Sequence, residues 1–289
     1  MEFKPLQPTL RFAMERDLIR TYLVPPRLLW LLNSMGRLAL FSDIHLRDGH
    51  ASEVEAELRT AINNISTQNI DHAFVLGDLI EDADSVATDK RHIKQVRKTF
   101  DDASFPVTYL LGNHDVEALS RDDLSSLLNQ DKFHGVLKAA DIPIIYLDST
   151  KEATPGARGE LGPEQRELLA DACSEYDEPL VLSHHPFGNF DISGNEWYKN
   201  YPERAFLSDR KEALDALEEA SPARGTISGH IHQSGFTNFR GMPHISVNAF
   251  SKEVPDKPLT GTYAEVEVDD RISVDIKIHG ETLTSYTIL

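Results

Sequence analysis

The feature of this sequence that most constrains its fold is a short apolar segment that ends abruptly in His, Asp or Asn, and it occurs five times. The segments, with the polar residues that end them, are 37–45, 71–78, 106–115, 179–185 and 225–232. Near-continuous apolar segments of this kind are typical of strands in a sheet that is covered on both faces. Consecutive polar side chains are costly to bury unpaired. The segment ends therefore either form solvated turns or bind something.

Segments with apolar residues at helical spacing lie between these strands. They occupy residues 52–65, 89–103, 159–172 and 208–220. The repeated order of strand, loop and helix is typical of a layered α/β fold. A further strand and then an antiparallel run are predicted at 142–150, 234–239, 243–248, 262–268, 271–278 and 282–287.

The domain organisation follows from the absence of any linker, repeat or low-complexity segment in a chain of 289 residues. We predict one domain over 37–289, preceded by an N-terminal arm over 1–36. The apolar run at 28–32 in the arm is shorter than a membrane-spanning helix or a signal-peptide core. We therefore expect a cytoplasmic protein, and the arm is a candidate for homo-oligomer contacts.

The charge balance limits the partners of the chain. Its formal net charge is -18, from 47 acidic and 29 basic residues. Such a balance opposes binding to nucleic acid and to anionic membranes, because no large basic field is present. We therefore expect a small-molecule substrate, with no nucleic-acid or membrane partner. Cys173 is the only cysteine, which excludes an intrachain disulfide and a thiolate metal cluster.

The residues at the five segment ends are of metal-ligand type. They are Asp43, His45, Asp78, Asn113, His114, Asp115, His184, His185, His230 and His232. In α/β sheets, ligands bind at the carboxyl ends of strands, so the five loops are expected to meet at one rim. Imidazole, carboxylate and amide donors without sulfur suit Mn, Fe or Zn. A single zinc site needs only about three or four protein ligands, so this set favours two ions.

Each segment end taken alone is a weak signal. An isolated histidine is more often a hydrogen-bonded structural residue, and Asn113 to Asp115 could form an ordinary turn. His230 and His232 are more specific, because alternate strand positions place both rings on one side. Five such ends in one chain are improbable as independent accidents, and we therefore interpret them as one site.

The five segments also carry a family resemblance. In chain order, FSDIHL, VLGDLI, LLGNHD, LSHHPF and SGHIHQ resemble the motifs of the calcineurin-like metallophosphoesterases, over roughly positions 39 to 250. The resemblance implies an α/β fold arranged as a four-layer α-β-β-α sandwich. Two mixed sheets lie in its middle, with a dinuclear metal site at the carboxyl ends of the strands.

The resemblance also implies how the two metal ions are held. The residues implied for the first ion are Asp43, His45 and His232, and those for the second are Asn113, His184 and His230. Asp78 is expected to bridge the two ions. His184 is preferred over His185 as a ligand because the ligand of the family lies two positions before a proline, here Pro186.

Further residues are implied in catalysis and substrate binding. His114 matches the proton donor of the family, and Asp115 is expected to orient it and tune its charge. Asn113 is expected to contact the substrate as well, and His185 is expected either to contact the substrate or to lie behind the metal ligands. The reaction implied is attack by a metal-bridging hydroxide on a phosphate ester.

The substrate is narrowed by the stretch from Leu147 to Leu169, which contains LDST and GELGPEQRELL. It resembles the branch that holds class III cyclic nucleotide phosphodiesterases and glycerophosphodiesterases, and similar stretches occur in manganese-dependent ADP-ribose and CDP-alcohol pyrophosphatases and in purple acid phosphatases. This branch favours a small phosphodiester such as a cyclic nucleotide. Nucleotide pyrophosphatase and phosphomonoesterase activities are alternatives within the family, and the acidic charge counts against a DNA nuclease.

The segment 188–206 has two readings. As a substrate cap it would stack Trp197, Tyr198 or Tyr201 on a base and place Arg204 near a phosphate. As a surface loop it would carry ordinary packing aromatics. A non-catalytic scaffold is the alternative from another functional class, and the full set of ligand residues together with His114 counts against it.

Overall fold

The computed structural model describes residues 36–150, 157–218, 223–251 and 259–289. The predicted N-terminal arm, except Gly36, lies outside the described residues. Gly36–Leu289 form one compact unit. None of the helices in the described ranges is long and apolar enough to cross a membrane.

Strands and helices alternate through the first two thirds of this unit. In chain order they are β1 (Gly36–Phe41), α1 (Ala51–Ser66), β2 (His72–Leu76), α2 (Val86–Phe100), β3 (Val107–Leu110), α3 (Arg121–Leu128), β4 (Gly135–Ala139), β5 (Ile142–Leu147), α4 (Gly162–Glu175), β6 (Leu180–Ser183), a short 3₁₀ turn (Pro202–Arg204) and α5 (Arg210–Glu218). The remaining strands are β7 (Gly225–Ser228), β8 (Gly235–Phe239), β9 (Met242–Ser246), β10 (Thr262–Val268), β11 (Ile272–Ile278) and β12 (Glu281–Ile288).

The strands form two six-stranded sheets, with the orders β12-β11-β10-β1-β2-β3 and β4-β5-β6-β7-β9-β8. Both sheets are mixed. In the first, β1, β2 and β3 are parallel while β10 joins β1 antiparallel. In the second, β5, β6, β7 and β9 are parallel, and β4 and β8 close the two edges antiparallel. The predicted α/β class with two mixed sheets is confirmed.

Alternate residues of one strand lie in different cores, which shows the layering. In β1, Ala39 and Phe41 belong to the core under the first helices, whereas Leu38 and Leu40 belong to the core between the two sheets. In the second sheet, Val181 packs towards α4 and α5. Since side chains alternate across a strand, each sheet is covered on both faces. This gives the four predicted layers, helix, sheet, sheet and helix.

The carboxyl ends of the two sheets meet at one edge of the sandwich. Backbone hydrogen bonds join the loops there, from Asp43 N to the carbonyl of Gly77 (3.1 Å) and from His45 N to that of Asp78 (3.0 Å). Phe250 N donates to the carbonyl of Ser42 at 2.7 Å. The predicted rim is therefore shared by two sheets.

The structure departs from the predicted elements in its second half. The sequence pattern did not identify β4 or α3. The predicted antiparallel run after residue 234 is divided, since β8 and β9 join the second sheet and β10 to β12 join the first. β9 also pairs parallel with β7. Alternation of apolar and polar residues predicts that a segment is a strand, but not which strand it pairs with. That pairing depends on how the two sheets pack.

Candidate metal centre

The loops after β1, β2, β3, β6 and β7 bring the predicted ligands together at the shared edge. One triplet of ligand atoms belongs to Asp43, His45 and His232, and another to Asp43, Asp78 and His184. Within each triplet all ligand atoms lie within 4.8 Å of one another. The side chains of these five residues are buried.

The first triplet has the spacing of ligands around one cation. His45 Nε2 lies 3.0 Å from His232 Nε2, and Asp43 Oδ1 lies 3.3 Å from His232 Nε2. Donor atoms at about 2.0–2.2 Å from a shared ion have separations of this order. No group of the described residues makes a well-directed hydrogen bond to Asp43 Oδ1, although the atom is fully buried. An unsatisfied carboxylate oxygen is costly to bury, so this atom fits a metal ligand.

The second group gathers around His184 Nε2. This atom lies 3.1 Å from His230 Nδ1, 3.4 Å from Asn113 Oδ1 and 3.4 Å from Asp78 Oδ2. Two imidazole nitrogens, an amide oxygen and a carboxylate oxygen thus face one point. Donors of these types suit Mn, Fe or Zn.

The outward nitrogens of His184 and His230 explain why their inward nitrogens face each other. His184 Nδ1 donates to the carbonyl of Leu76 at 2.8 Å, and His230 Nε2 donates to that of Arg204 at 2.9 Å. In the neutral rings the inward nitrogens are then lone pairs. Two lone pairs at 3.1 Å repel, and a cation between them removes the repulsion.

Asp78 lies between the two groups. Its Oδ2 is 3.8 Å from His45 Nε2 and 3.4 Å from His184 Nε2. Its Oδ1 accepts from the backbone N–H of His114 at 2.9 Å. One carboxylate oxygen therefore faces both halves of the centre, which is the position that a bridging ligand requires.

Electrostatics at the centre favour positive charge. Burial opposes ionisation of Asp78, yet the neighbouring His184 and His114 rings hold the pKa of its carboxyl well below its usual range. Burial also opposes the charged form of His184, but Asp78 raises its pKa to about 9. The buried carboxylates of Asp78 and Asp43 thus attract positive charge. A bound cation can supply that charge in place of the proton on His184.

The backbone at the centre is strained. Of the twelve described non-glycine residues with left-handed φ, five belong to the centre, with φ between 45° and 69°: Asp43, His45, Asp78, His230 and His232. This conformation costs a non-glycine residue roughly 1–2 kcal/mol. Gly112 and Gly229 allow the close packing, because a Cβ there would lie 2.2 Å from Asp78 Oδ1 and 1.8 Å from Ser42 Oγ respectively. Residues held in sparsely populated backbone conformations cluster at functional sites, and these five lie among the predicted ligands.

His114 lies at the rim of the centre, with a carboxylate partner that the sequence analysis did not identify. Its Nδ1 pairs with Asp82 Oδ1, and its ring meets the edge of the His45 ring, with centroids 5.0 Å apart. Burial opposes the charged ring, but Asp78 and Asp82 raise the pKa of His114 to about 9. A protonated imidazole at the rim can donate a proton to a substrate oxygen.

The predicted role of Asp115 as the partner of His114 is wrong. One oxygen of Asp115 accepts from the N–H groups of Leu79 (2.9 Å) and Ile80 (3.3 Å), and the other from that of Gly112 (2.9 Å). The residue is fully buried, and burial together with the charge of Asp78 raises its pKa to about 7. Asp115 holds two loops of the centre together, so its side chain is not directed at the substrate.

Of the two positions expected for His185, at the substrate or behind the metal ligands, the structure favours the second. The ring is fully buried. Its Nδ1 lies 2.8 Å from Ser149 Oγ, and its Nε2 donates to the carbonyl of Ala157 at 2.9 Å. Burial, and then the neighbouring His184, lower the pKa of His185 to about 3. Both nitrogens are engaged by protein groups, so this neutral ring supports the centre from behind.

Comparisons with known proteins agree with this geometry. The sequence model of calcineurin-like phosphoesterases matches residues 36–234, which is more than half of the chain. The chain belongs to the calcineurin-like phosphoesterase family. The more specific resemblance to class III cyclic nucleotide phosphodiesterases is not established by these comparisons.

Solved structures share the fold of this phosphoesterase. A dimetal phosphatase from Danio rerio is 16% identical, with a TM-score of 0.72, and the match covers 89% of this chain and 99% of that chain. GAP50, the anchor in the inner membrane complex of Plasmodium, is 12% identical with a TM-score of 0.58, covering 88% of each chain. Purple acid phosphatase from yellow lupin (Lupinus luteus) seeds is 13% identical with a TM-score of 0.56, covering 88% of this chain and 53% of that chain. At these identities the likeness shows the fold alone. No curated protein matches the sequence significantly.

Two acidic residues of the phosphoesterase were not identified as functional from the sequence. Asp82 pairs with His114, and Glu81 Oε2 lies 3.3 Å from His45 Nδ1. Carboxylates behind metal-ligating histidines orient the rings and raise their basicity. The available signal was their position, three and four residues after Asp78 in one loop.

The segment 188–206 contacts the centre and also has a small core of its own. Trp197 lies against the His232 ring, with centroids 5.1 Å apart. The guanidinium of Arg204 lies 4.6 Å from the centre of the exposed Tyr201 ring. Tyr198 is buried with Phe190 and other apolar residues of the segment, so its ring cannot stack on a base as predicted. The interpretation of packing aromatics therefore holds for Tyr198, whereas a substrate cap formed by Trp197 and Arg204 stays a prediction.

Proposed function

We propose that this chain is a dinuclear metal-dependent phosphoesterase that hydrolyses small phosphodiesters such as cyclic nucleotides. The observation that carries the proposal is Asp78 Oδ2, which lies within 3.8 Å of His45 Nε2 and 3.4 Å of His184 Nε2. A carboxylate oxygen between two groups of nitrogen and oxygen donors suits two cations a few ångströms apart. Phosphate esters are among the substrates on which such paired sites act.

The residues present fit two cations. Besides Asp78, three side chains would serve each ion. These six side chains supply nitrogen and oxygen donors and no sulfur. The first ion would be held by Asp43, His45 and His232, and the second by Asn113, His184 and His230. Two bound Mn, Fe or Zn ions would activate a water nucleophile and offset the negative charge of the phosphate.

The protein residues at the rim complete the chemistry. His114 would protonate the leaving oxygen, a step worth ~10²–10⁴-fold in rate for general acids. Asp82 holds the Nδ1 side of the ring, which leaves Nε2 to face the substrate. Asp115 acts on the backbone, so it supports the site without touching the ester.

Trp197, Arg204 and Asn113 are the proposed substrate contacts. Trp197 is partly exposed beside His232 and can cover a base or another flat group. Arg204 is exposed, and its carbonyl accepts from His230, which ties its position to the second half of the centre. A planar guanidinium suits a second phosphate oxygen or a ribose phosphate.

Three observations support a small diester over the alternatives. The net charge of -18 disfavours a nucleic-acid substrate. The full donor set and His114 disfavour a scaffold. The stretch from Leu147 to Leu169 resembles the diesterase branch, although similar stretches also occur in the pyrophosphatases and purple acid phosphatases. Pyrophosphatase and phosphomonoesterase activity are the alternatives within the family. The proposal also includes a cytoplasmic location.

A substrate panel tests the proposal. The metal-stripped protein is reloaded with Mn²⁺, Zn²⁺ or Fe²⁺ and assayed on cyclic nucleotides, glycerophosphodiesters, nucleotide diphosphate esters, monoesters and single-stranded DNA. We expect hydrolysis of diesters to exceed that of the other classes. Asp78→Ala is the negative control, because it removes the shared donor.

Faster hydrolysis of diphosphate esters or monoesters would replace the diesterase assignment with that activity. No hydrolysis of any substrate by a protein that retains two cations would support the scaffold. Failure to bind any cation would contradict the proposed dinuclear metal site and with it the phosphoesterase activity.

A further inference from the structure

The hydroxyl of Tyr198 reaches the second half of the centre from the segment 188–206. Its Oη lies 3.4 Å from His230 Nδ1, and the ring lies against the His230 ring with centroids 5.0 Å apart at 41°. Only 9% of the residue is exposed. A buried phenol beside a metal-facing nitrogen has no role in the chemistry described above.

The position of Tyr198 is set by a buried asparagine. Asn195 Nδ2 donates to the carbonyl of Ile231 at 2.6 Å, and Ile231 lies between the two metal-facing histidines of the β7 loop. Asn195 Oδ1 accepts from the backbone N–H groups of Trp197 (2.9 Å) and Tyr198 (3.1 Å). The turn that carries both aromatic residues is thereby attached to the loop that carries His230. Tyr198 is held in place by this attachment and does not rest on a flexible loop.

The hydroxyl needs a different acceptor once His230 Nδ1 serves a cation. A phenol is a proton donor at neutral pH, with an ordinary pKa of about 10. His230 Nε2 already donates to the carbonyl of Arg204, so Nδ1 carries the only lone pair of this ring. When a cation uses that lone pair, Tyr198 Oη–H is left buried without a partner, which is unfavourable. An anionic oxygen bound at the second ion would supply the acceptor.

We propose that the hydroxyl of Tyr198 donates a hydrogen bond to a phosphate oxygen held at the second half of the centre, and so takes part in binding substrate and product. The inference rests on the proposed function, because it requires cations and a phosphate at this site. It adds a donor from a segment outside the five strand ends. Neither Trp197 nor Arg204 can replace it, since one lies on the His232 side and the other points its guanidinium at Tyr201.

Phosphate binding to the Mn²⁺-loaded protein tests the inference. Wild type, Tyr198→Phe and Tyr286→Phe are compared by calorimetric titration with inorganic phosphate, after the metal content of each has been measured. Tyr286→Phe removes a hydroxyl from a partly exposed ring on β12, outside the segment 188–206 and outside the centre. We expect Tyr198→Phe to retain two ions per chain and to bind phosphate about 10- to 100-fold more weakly, because a hydrogen bond to a charged oxygen is lost. Tyr286→Phe is expected to match the wild type.

Two results for Tyr198→Phe would overturn the inference. Unchanged phosphate affinity would show that the hydroxyl does not touch the anion. Loss of one cation would show that Tyr198 serves the metal directly. Failure of the proposed function is seen separately in the wild type, as absence of the cations or of any phosphate binding.

Discussion

His184 and His185 are neighbours in the chain and both are fully buried, yet their surroundings are opposite. His184 faces Asp78, which raises its pKa to about 9 although burial opposes this. His185 lies between Ser149 and the carbonyl of Ala157, and burial followed by the charge of His184 lowers its pKa to about 3. Equal burial thus accompanies opposite protonation.

The difference teaches that burial does not decide what a histidine does. The groups that its nitrogens meet decide it. A ring with one nitrogen on a backbone carbonyl and the other facing carboxylates is prepared for a cation. A ring with both nitrogens on neutral protein groups is structural.

Removing Asp78 should have the largest effect, because Asp78 is the carboxylate that distinguishes the surroundings of His184 from those of His185. Asp78→Ala takes away the carboxylate that faces both His45 and His184. We expect loss of cations from both positions and phosphoesterase activity at background level, measured by metal analysis and diester hydrolysis. Asp171→Ala, at an exposed position on α4, is the matched control and should retain both cations and the activity of the wild type. Normal metal content in Asp78→Ala would contradict the bridging position.

Exchanging each of the two histidines for asparagine should separate their roles. His184→Asn should weaken binding of the second cation by more than the ~10–100-fold typical of residues that only support a ligand. His185→Asn should retain both cations but lose about 1–3 kcal/mol of unfolding free energy, because Ser149 or the Ala157 carbonyl is left unpaired. Metal titration and denaturant unfolding measure the two effects. The reverse outcome would show that the ligand had been assigned to the wrong neighbour.

His114 extends the comparison to a ring with a carboxylate partner at the rim. His114→Ala should keep both cations and lose ~10²–10⁴-fold in the hydrolysis of alkyl esters, with little loss on p-nitrophenyl esters, whose leaving group needs no proton. Asp82→Asn should lower activity on alkyl esters by about tenfold, since it replaces the charged acceptor of the ring N–H with a weaker neutral one. Rates on both ester types give the measurement. Equal losses on the two esters would contradict the acid role.

His244 extends the comparison to a buried ring in the second sheet, away from the carboxylates. Its nitrogens meet Thr226 Oγ1 and the carbonyl of Phe239, and burial lowers its pKa to about 4. This lies below the ordinary value of about 6.5, so the unfolded chain binds more protons. Stability is therefore complete above about pH 6.5 and decreases as the pH falls towards 4, by roughly 3 kcal/mol at most.

Unfolding of chelator-treated protein at several pH values measures this effect. His244→Asn should show a shallower decrease between pH 6.5 and 4 than the wild type, and His50→Asn, at an exposed position, serves as control. Identical slopes for His244→Asn and the wild type would mean that the ring is not held neutral in the fold.

Much of the fold was predictable because its signals are local. Apolar segments that end in polar residues identified β1, β2, β3, β6 and β7, and helical spacing identified α1, α2, α4 and α5. The structure brings the seven predicted metal ligands to one edge, while their binding of metal remains a prediction. β4 and α3 were missed. The division of the last strands between two sheets depends on which strand each one meets.

The site was less predictable in its second layer of contacts. Asp115 is adjacent to His114 in the chain, but its carboxylate accepts from backbone N–H groups, while Asp82 from another loop pairs with the ring. Tyr198 is of a residue type that can stack on a base, but it is buried with its hydroxyl directed at His230. Side-chain direction depends on the packed loops, and no sequence spacing specifies it.

By itself, the sequence determined the class of fold and the kind of chemistry, because strand periodicity and donor type are properties of short stretches. Only the tertiary structure decided which donors face a common point and which neighbour of a histidine carries charge. Those outcomes depend on distances of a few ångströms between residues far apart in the chain. Such distances are set when two sheets pack and their strand ends meet.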